Sequence, residues 1–306
     1  MSDPNHFSLT AAAARNLATA TVTVPQWDEI TPRWLLKLLP WIDIDGGVYR
    51  VNQVQKTDRA TVELLTVEGG EPKLPSTFVD YDENPREYHL STIQTILNTH
   101  TRVTDLYSNE IDQLRQQVRL VVEAVKEREE WELLNNPNFG LLREVVDSQR
   151  INTLSGPPTP DDLDELLRLV WKKPAFFLAH PKAIAAFGRE ATRRGVPPPT
   201  VNILGSPFIT WRGIPLVPSD KLPLEDDKTT IILLRLGEAE QGVVALQKTG
   251  VTGEVEPGLS VRYMGTNEHS VASHLVTRYF SAAVLTHDAI ARLDNVFVGN
   301  YYDYSA

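Results

Sequence analysis

Between residues 105 and 134 apolar and charged positions alternate with the spacing of a helix. Ile111, Leu114, Val118, Val121 and Val125 follow a three-four repeat, which draws one apolar stripe down several turns. Glu123, Lys126, Glu127, Arg128 and Glu130 dominate the other side. A coiled-coil dimer carries the same repeat, but here it lasts only about two heptads, short of the three or four such a seam needs. The pattern therefore predicts a long helix packed on a sheet.

A second apolar concentration lies at Ile30 to Asn52, ITPRWLLKLLPWIDIDGGVYRVN. Thr31-Pro32 predicts a helix start with proline in the first turn, and Pro40 stops it. Asp43, Asp45 and Gly46-Gly47 then lead into the alternation Tyr49-Arg50-Val51-Asn52. Upstream, Ser8 caps a short Ala-rich helix ending near Ala20, and Thr23 to Pro25 is extended. Residues 1–46 thus form an arm, with Trp27, Trp34 and Trp41 recurring every seven residues as anchors that dock it. Residues 47–92 form a projecting hairpin: Thr61-Val62-Glu63-Leu64 alternates, Gly69-Gly70 turns, and the polar DYDENPRE reads as a turn or hinge. A lone hairpin is marginally stable in water, so this one leans on a partner.

After the proline-rich break at 155–160, Thr159-Pro160-Asp161-Asp162 opens a capped helix ending near Trp171. A strand at AFFLAH, a helix from Pro181 to Arg194, and strands at Phe208–Trp211, Ile214–Val217, Ile231–Leu236 and Val243–Gln247 complete a mixed α/β unit over 159–248. From Gly250 the chain turns to β structure at Leu259–Met264 and His274–Leu285, and Thr286-His287-Asp288 caps a last short helix before the YYDYSA tail. These strands need a helix over one face. The 105–134 stripe supplies it, joining 93–158 with 249–306 in one discontinuous domain.

Composition narrows the function. Hydrophobic residues make up 42% and charged residues 23%, ordinary for a globular protein, and the net charge of −10 disfavours general phosphate-backbone binding. No cysteine is present, which excludes disulfides and thiolate chemistry and sits easily with a cytoplasmic location. The longest apolar-rich run, Trp34 to Trp41, contains Lys37 and Pro40 and falls far short of the roughly 20 residues of a membrane span.

No GxGxxG, phosphate loop or GxSxG elbow occurs, and Ser206 is stopped by Pro207. Glu268-His269 and His274 are spaced five apart and read as turn and strand, and Gly250-Val251-Thr252-Gly253 lacks a flanking basic helix. Asp161-Asp162 and Asp226-Asp227 read as a helix first turn and a polar loop. These readings predict no catalytic residue, no metal and no cofactor. What stands out is a stiff loop, Arg193-Arg194-Gly195-Val196 followed by Pro197-Pro198-Pro199, in which the arginines also suit the helix C-terminus.

The order arm, projecting hairpin, spine helix, α/β insert and returning strands resembles the tailed-phage major-capsid fold of the Hong Kong 97 type, an α+β fold. Its parts are an N-terminal arm, an extended loop, a peripheral domain and an axial domain. The wording AAARNLATATVTVPQ, ITPRWLLKLLPW and GGVYRVN is similar to family 2A encapsulin shell proteins, across essentially the whole chain. No cyclic-nucleotide-binding insert is present, which separates it from the sister 2B branch.

The resemblance implies self-assembly into an icosahedral nanocompartment of about 60 copies, the smallest closed shell of this symmetry. It also implies a cysteine desulfurase cargo and a place in sulfur metabolism. It sets the tip loop, Arg193, Arg194, Gly195 and Pro197, around a five-fold pore, and cargo docking at the arm, with Trp27, Trp34 and Leu38 as candidates. A phage or prophage capsid, or a peripheral membrane protein using WLLKLLPW as an interfacial helix, are the other readings.

Overall fold

The apolar stripe of residues 105–134 does lie on a sheet, but the segment carrying it is two helices. In the computed structural model, which describes residues 12, 15–16, 30–53, 65–66, 69–70, 72–76, 79, 81–108 and 112–301, helix α2 covers Thr101–Tyr107 and helix α3 covers Gln113–Asn135. Ser108 and Asp112 are extended, and the Asp112 carboxylate accepts the Arg115 amide, so the long helix starts at a side-chain cap. Ile111, like most of the Ala-rich segment, Thr23–Pro25, Thr61–Leu64 and nearly all of the YYDYSA tail, lies outside the described residues. From α3, Val122 and Val125 pack with Leu259 and Val276, flanked by Val118, Val121 and Val261.

That surface belongs to a six-stranded sheet of β1 (Trp41–Asp43), β4 (Ser91–His100), β11 (Val243–Gln247), β12 (Glu254–Glu256), β13 (Leu259–Thr266) and β14 (Val271–Val284). The 14-residue β14 organises it, pairing antiparallel with β13, with β4 from Val271↔His100 to Phe280↔Ser91, and with β11 from Val243↔Val284 to Gln247↔Phe280. The arm strand β1 adds in parallel on β11.

The second sheet has seven strands in the order β5 (Arg150–Asn152), β15 (Ile290–Phe297), β10 (Lys228–Leu234), β6 (Phe176–Ala179), β9 (Ile214–Pro218), β8 (Ser206–Trp211) and β7 (Thr200–Ile203). Helices α5 (Pro160–Leu169) and α6 (Pro181–Arg193) cover one face. Ile231 and Leu233 point into that helix-covered core, whereas Ile232 and Leu234 enter the central one, so an unbroken apolar run serves two faces.

Sheet membership does not follow the sequence-order division at 248. Val243–Gln247 pairs in the six-stranded sheet, and β15, where the sequence predicts only a short helix and tail, pairs with β10 in the seven-stranded one. The anticipated helix is a single 3₁₀ turn, His287–Ala289.

The central core draws on the arm, the spine helix and both sheets. Trp34, Leu35 and Leu39 from the arm meet Leu133 and Leu134 of α3, Phe139, Leu141 of the short helix α4 (Leu141–Glu144), strands of both sheets, and Phe280. The arm helix α1 is Trp34–Leu38, not a helix opened by Thr31-Pro32; Arg33 precedes it with φ of 49°, and the chain turns into it through that left-handed residue.

The projecting loop is rooted by β2 (Val48–Val51) paired with β3 (Arg86–His89), so DYDENPRE gives way to strand at Arg86 rather than remaining a hinge. The Tyr88 hydroxyl donates to the Val284 carbonyl at 2.8 Å and accepts the Val284 amide at 3.2 Å, pinning this root to β14.

Candidate functional site

Two regions gather the residues that the sequence singles out: the strap of the arm, residues 31–43, and the tip of the seven-stranded unit.

The strap lies on the side of α3 that reads as a solvated charged face, and that face is its receptor. Arg33 bridges Glu123 at 2.6 Å and Glu127 at 3.1 Å, while the Thr31 amide and hydroxyl both donate to Glu127. Burial alone would raise the Glu127 carboxyl, but the hydrogen bonds from Lys221 Nζ and the Thr31 amide hold it below its ordinary value. Glu130, 1% exposed, accepts the Leu35 amide at 3.1 Å, and burial pushes its carboxyl up to about 7. Glu129 is also buried and turns to Arg278, whose Nε and Nη2 both lie 2.8 Å from Oε1. Burial pushes the Glu129 carboxyl up, and the Arg278 guanidinium opposes the shift.

Of the docking candidates, Trp34 is buried edge-on against Phe208, with ring centroids 5.1 Å apart, and Leu38 is half-buried against the central core. Trp27 lies outside the described residues. The open part of the strap is Leu36, Lys37 and Trp41. They line a cavity of about 350 Å³ closed by Lys126, Glu129, Leu259 and Arg278, and the Arg278 guanidinium stacks 4.8 Å from the Trp41 ring.

At the tip, α6 ends in a Schellman motif: the Val196 amide donates to the Ala191 carbonyl and the Gly195 amide to that of Thr192, with Gly195 at φ of 73°. Pro197 and Pro199 are exposed, and the chain then enters the edge strand β7. Arg193 and Arg194 do not act as two uncompensated charges. Both grip Glu190, at 2.8 and 2.5 Å, and Asn300 donates to the same carboxylate at 3.0 Å. Glu190 is 4% exposed while the arginines stay partly open, so the tip carries a smaller positive charge than its sequence suggests.

The sequence pattern singles out neither Glu190 nor Arg278, and it reads Glu130 as part of a solvated face. Glu190 is three and four residues before the two arginines, a spacing that brings them onto one helix face. Among the described residues no group of three or more histidine, cysteine, aspartate or glutamate side chains converges as a metal site, and no helix is long and apolar enough to cross a membrane.

The SrpI-like model of type 2A encapsulin shell proteins matches residues 49–300. The type 2A encapsulin shell protein SrpI of Synechococcus elongatus is 59% identical over 297 residues, covering 97% of this chain and 96% of that one. A type 2A encapsulin shell protein of Mycobacterium leprae is 58% identical over 292 residues, covering 95% of each. The cryo-electron microscopy structure of the holo-SrpI encapsulin complex from Synechococcus elongatus matches with a TM-score of 0.85 at 56% identity, over 98% of this chain and 100% of that one. The capsid of an empty GTA particle matches at 12% identity with a TM-score of 0.63, over 94% of this chain and all of that one, a likeness of fold alone. The α+β arrangement of arm, loop root, spine helix and two sheets is therefore the tailed-phage major-capsid, Hong Kong 97-like fold.

Proposed function

The chain belongs to the type 2A encapsulin shell proteins, and we propose that about sixty copies close into an icosahedral nanocompartment, the smallest shell of that symmetry. Its role is structural: it is a shell protein that assembles with itself, not an enzyme. The observation that carries this is the match to the holo-SrpI encapsulin complex over nearly the whole of both chains. A subunit with a reaching arm and a projecting loop leaves edges that neighbouring copies cover.

In the finer reading, the compartment is cytoplasmic, encloses a cysteine desulfurase and serves sulfur metabolism. The seven-stranded unit is the axial domain, and its tip loop, Arg193 to Pro197, rings a five-fold pore. The six-stranded unit with α3 is the peripheral domain. Cargo docks on the inner wall at the strap, where Trp34 and Leu38 anchor the strap itself and Leu36, Lys37 and Trp41 present the open surface. The resemblance to the family and the tip geometry support these assignments.

Negative-stain microscopy of the purified protein tests the shell: uniform hollow particles are the expected result, and a well-folded single subunit at every concentration overturns it. Co-expression with a cysteine desulfurase tests the cargo. The enzyme is expected to co-elute with the particles, and elution only as free enzyme rejects that partner.

A further inference from the structure

Glu130 sits where the strap meets the spine helix. It is 1% exposed, its carboxylate accepts the Leu35 amide, and no cation makes an ion pair with it among the described residues. The charged groups around it come from three elements. On α3, Glu123 and Glu127 are engaged by Arg33, and Glu129 turns away to Arg278. From the strap comes Arg33 itself, committed to those two carboxylates. From the loop after β9 come Lys221, paired to Glu127 at 2.8 Å and to Asp220 at 2.9 Å, and Asp220. Burial, the largest influence, favours the neutral acid; the Leu35 amide and Lys221 favour an ionised Glu130, while Glu127 and Asp220 oppose it. Every other acidic group at this junction has a cation; Glu130 has a backbone amide.

We propose that Glu130 is a proton-operated latch for the arm: protonated, it holds the strap of residues 31–43 on the spine helix, and ionised, it loosens that hold. Docking removes the carboxyl from water, and an uncompensated buried charge is costly, so the neutral form fits the docked strap better. The amide of Leu35 keeps an acceptor in either form and by itself prefers the ionised one, but burial outweighs that preference. Docked, the carboxyl titrates at about 7, against an ordinary value of 4.5 when the strap is open to water. The docked form therefore holds the extra proton in that window. Docking is tightest at the acid end, weakens by about tenfold for each pH unit between those values, and levels off above the higher one. The latch belongs to the subunit and stands independently of the pore and cargo assignments.

The test uses the assembled protein and the E130Q variant, whose amide keeps an acceptor for Leu35 and cannot ionise. Infrared difference spectra report a protonated, water-shielded carboxylic acid directly. Because Glu129 is buried too, the Glu130 signal is the wild-type band in excess of E130Q, and it is expected to vanish with a midpoint at about pH 7. Hydrogen exchange at the amides of 31–43, corrected for intrinsic rates, is expected to lose protection between about pH 5 and pH 7 in the wild type but not in E130Q. An equal pH slope in both proteins, or the same carboxylic acid band in both with no wild-type excess, overturns the latch. If E130Q fails to assemble, the wild-type band decides alone: no carboxylic acid signal at about pH 6 rejects the proposal.

Discussion

Arg278 shows how a residue buried in a strand can hold three elements at once. Its guanidinium pairs with Glu129 on the spine helix, donates to the Pro257 carbonyl and to Gln247, and stacks on Trp41 of the arm. Gly258, at φ of 72°, leaves room for it, since a Cβ there would run into the guanidinium. Replacing it by Arg278→Met keeps the apolar stem but strands the Glu129 carboxylate in a site 2% exposed. Removing one partner of a buried pair costs about 3–5 kcal/mol, so a chemical denaturation midpoint well below wild type is expected. The double variant R278M/E129Q is expected to recover most of the loss, because the unpaired charge is gone. A double variant no better than R278M shows that packing, not charge, sets the cost.

The same residues mark what the sequence could not disclose. On the spine helix, Glu129 and Glu130 sit in a run, KEREEWE, that reads as a solvated face, and their partners lie far away in the chain: Leu35 of the arm, 95 positions from Glu130, and Arg278 of β14, 149 positions from Glu129. Periodicity reports which positions share a face of one element, not what a remote segment lays across it. The tip arginines were legible as a charged loop, but their shared carboxylate lies inside the preceding helix, and a strip of helix also places many pairs that never meet. Trp34, in contrast, was legible as an anchor, since a large aromatic in a short apolar helix has few other fates.

At the scale of elements, local signals decide legibility. Helices α5 and α6 were readable because their chemistry is written beside them. Thr159 and Asp162 form a capping box, proline occupies the first turn of each, and Gly195 ends α6 in the left-handed conformation. Strands β4 and β15 were not. STIQTILNTH is polar at many positions and half-open, and its strand state comes from ten-residue pairing with β14. The residues of β15 lie between β10 and β5, partners far away in the chain.

The α6 terminus also carries a prediction about passage through the tip. Glu190 offsets part of the charge of Arg193 and Arg194, so E190Q, nearly isosteric, strengthens the positive field while leaving Asn300 an acceptor. If the tips ring a pore, loaded particles are expected to admit a small anionic quencher several-fold faster in E190Q, with no change for a neutral solute of the same size. The difference is expected to shrink as salt approaches about 1 M, where screening reaches roughly 3 Å. Equal rates for the anion in both proteins remove the tip from the entry path.

For the whole molecule, the question is what makes two sheets one unit. The chain passes between them at Arg235–Gly242, from β10 to β11, and at Leu285–Ala289, from β14 to β15. Arg235, only 1% exposed, lies at both passages. Its guanidinium bridges Asp288 at 2.8 Å, donates to the Thr286 hydroxyl at 2.7 Å and reaches the Gln241 carbonyl, and its amide donates to the Ala289 carbonyl. Lys172 joins the same carboxylate at 2.7 Å, and hydrogen bonding to Arg235 keeps Asp288 well below the usual carboxylate range. Below this staple, the central core mixes side chains of the arm, the spine helix and both sheets. Such a core predicts one cooperative transition, since neither sheet keeps a complete apolar face without the other. Arg235→Met removes charge-assisted bonds worth about 1.5–3 kcal/mol each at most, and Lys172 remains to neutralise Asp288. Calorimetry is expected to show a single transition moved down by several degrees, with its cooperativity retained. Two separated transitions in R235M show instead that the sheets are independent bodies held by the staple alone, and that the shared core does not couple them.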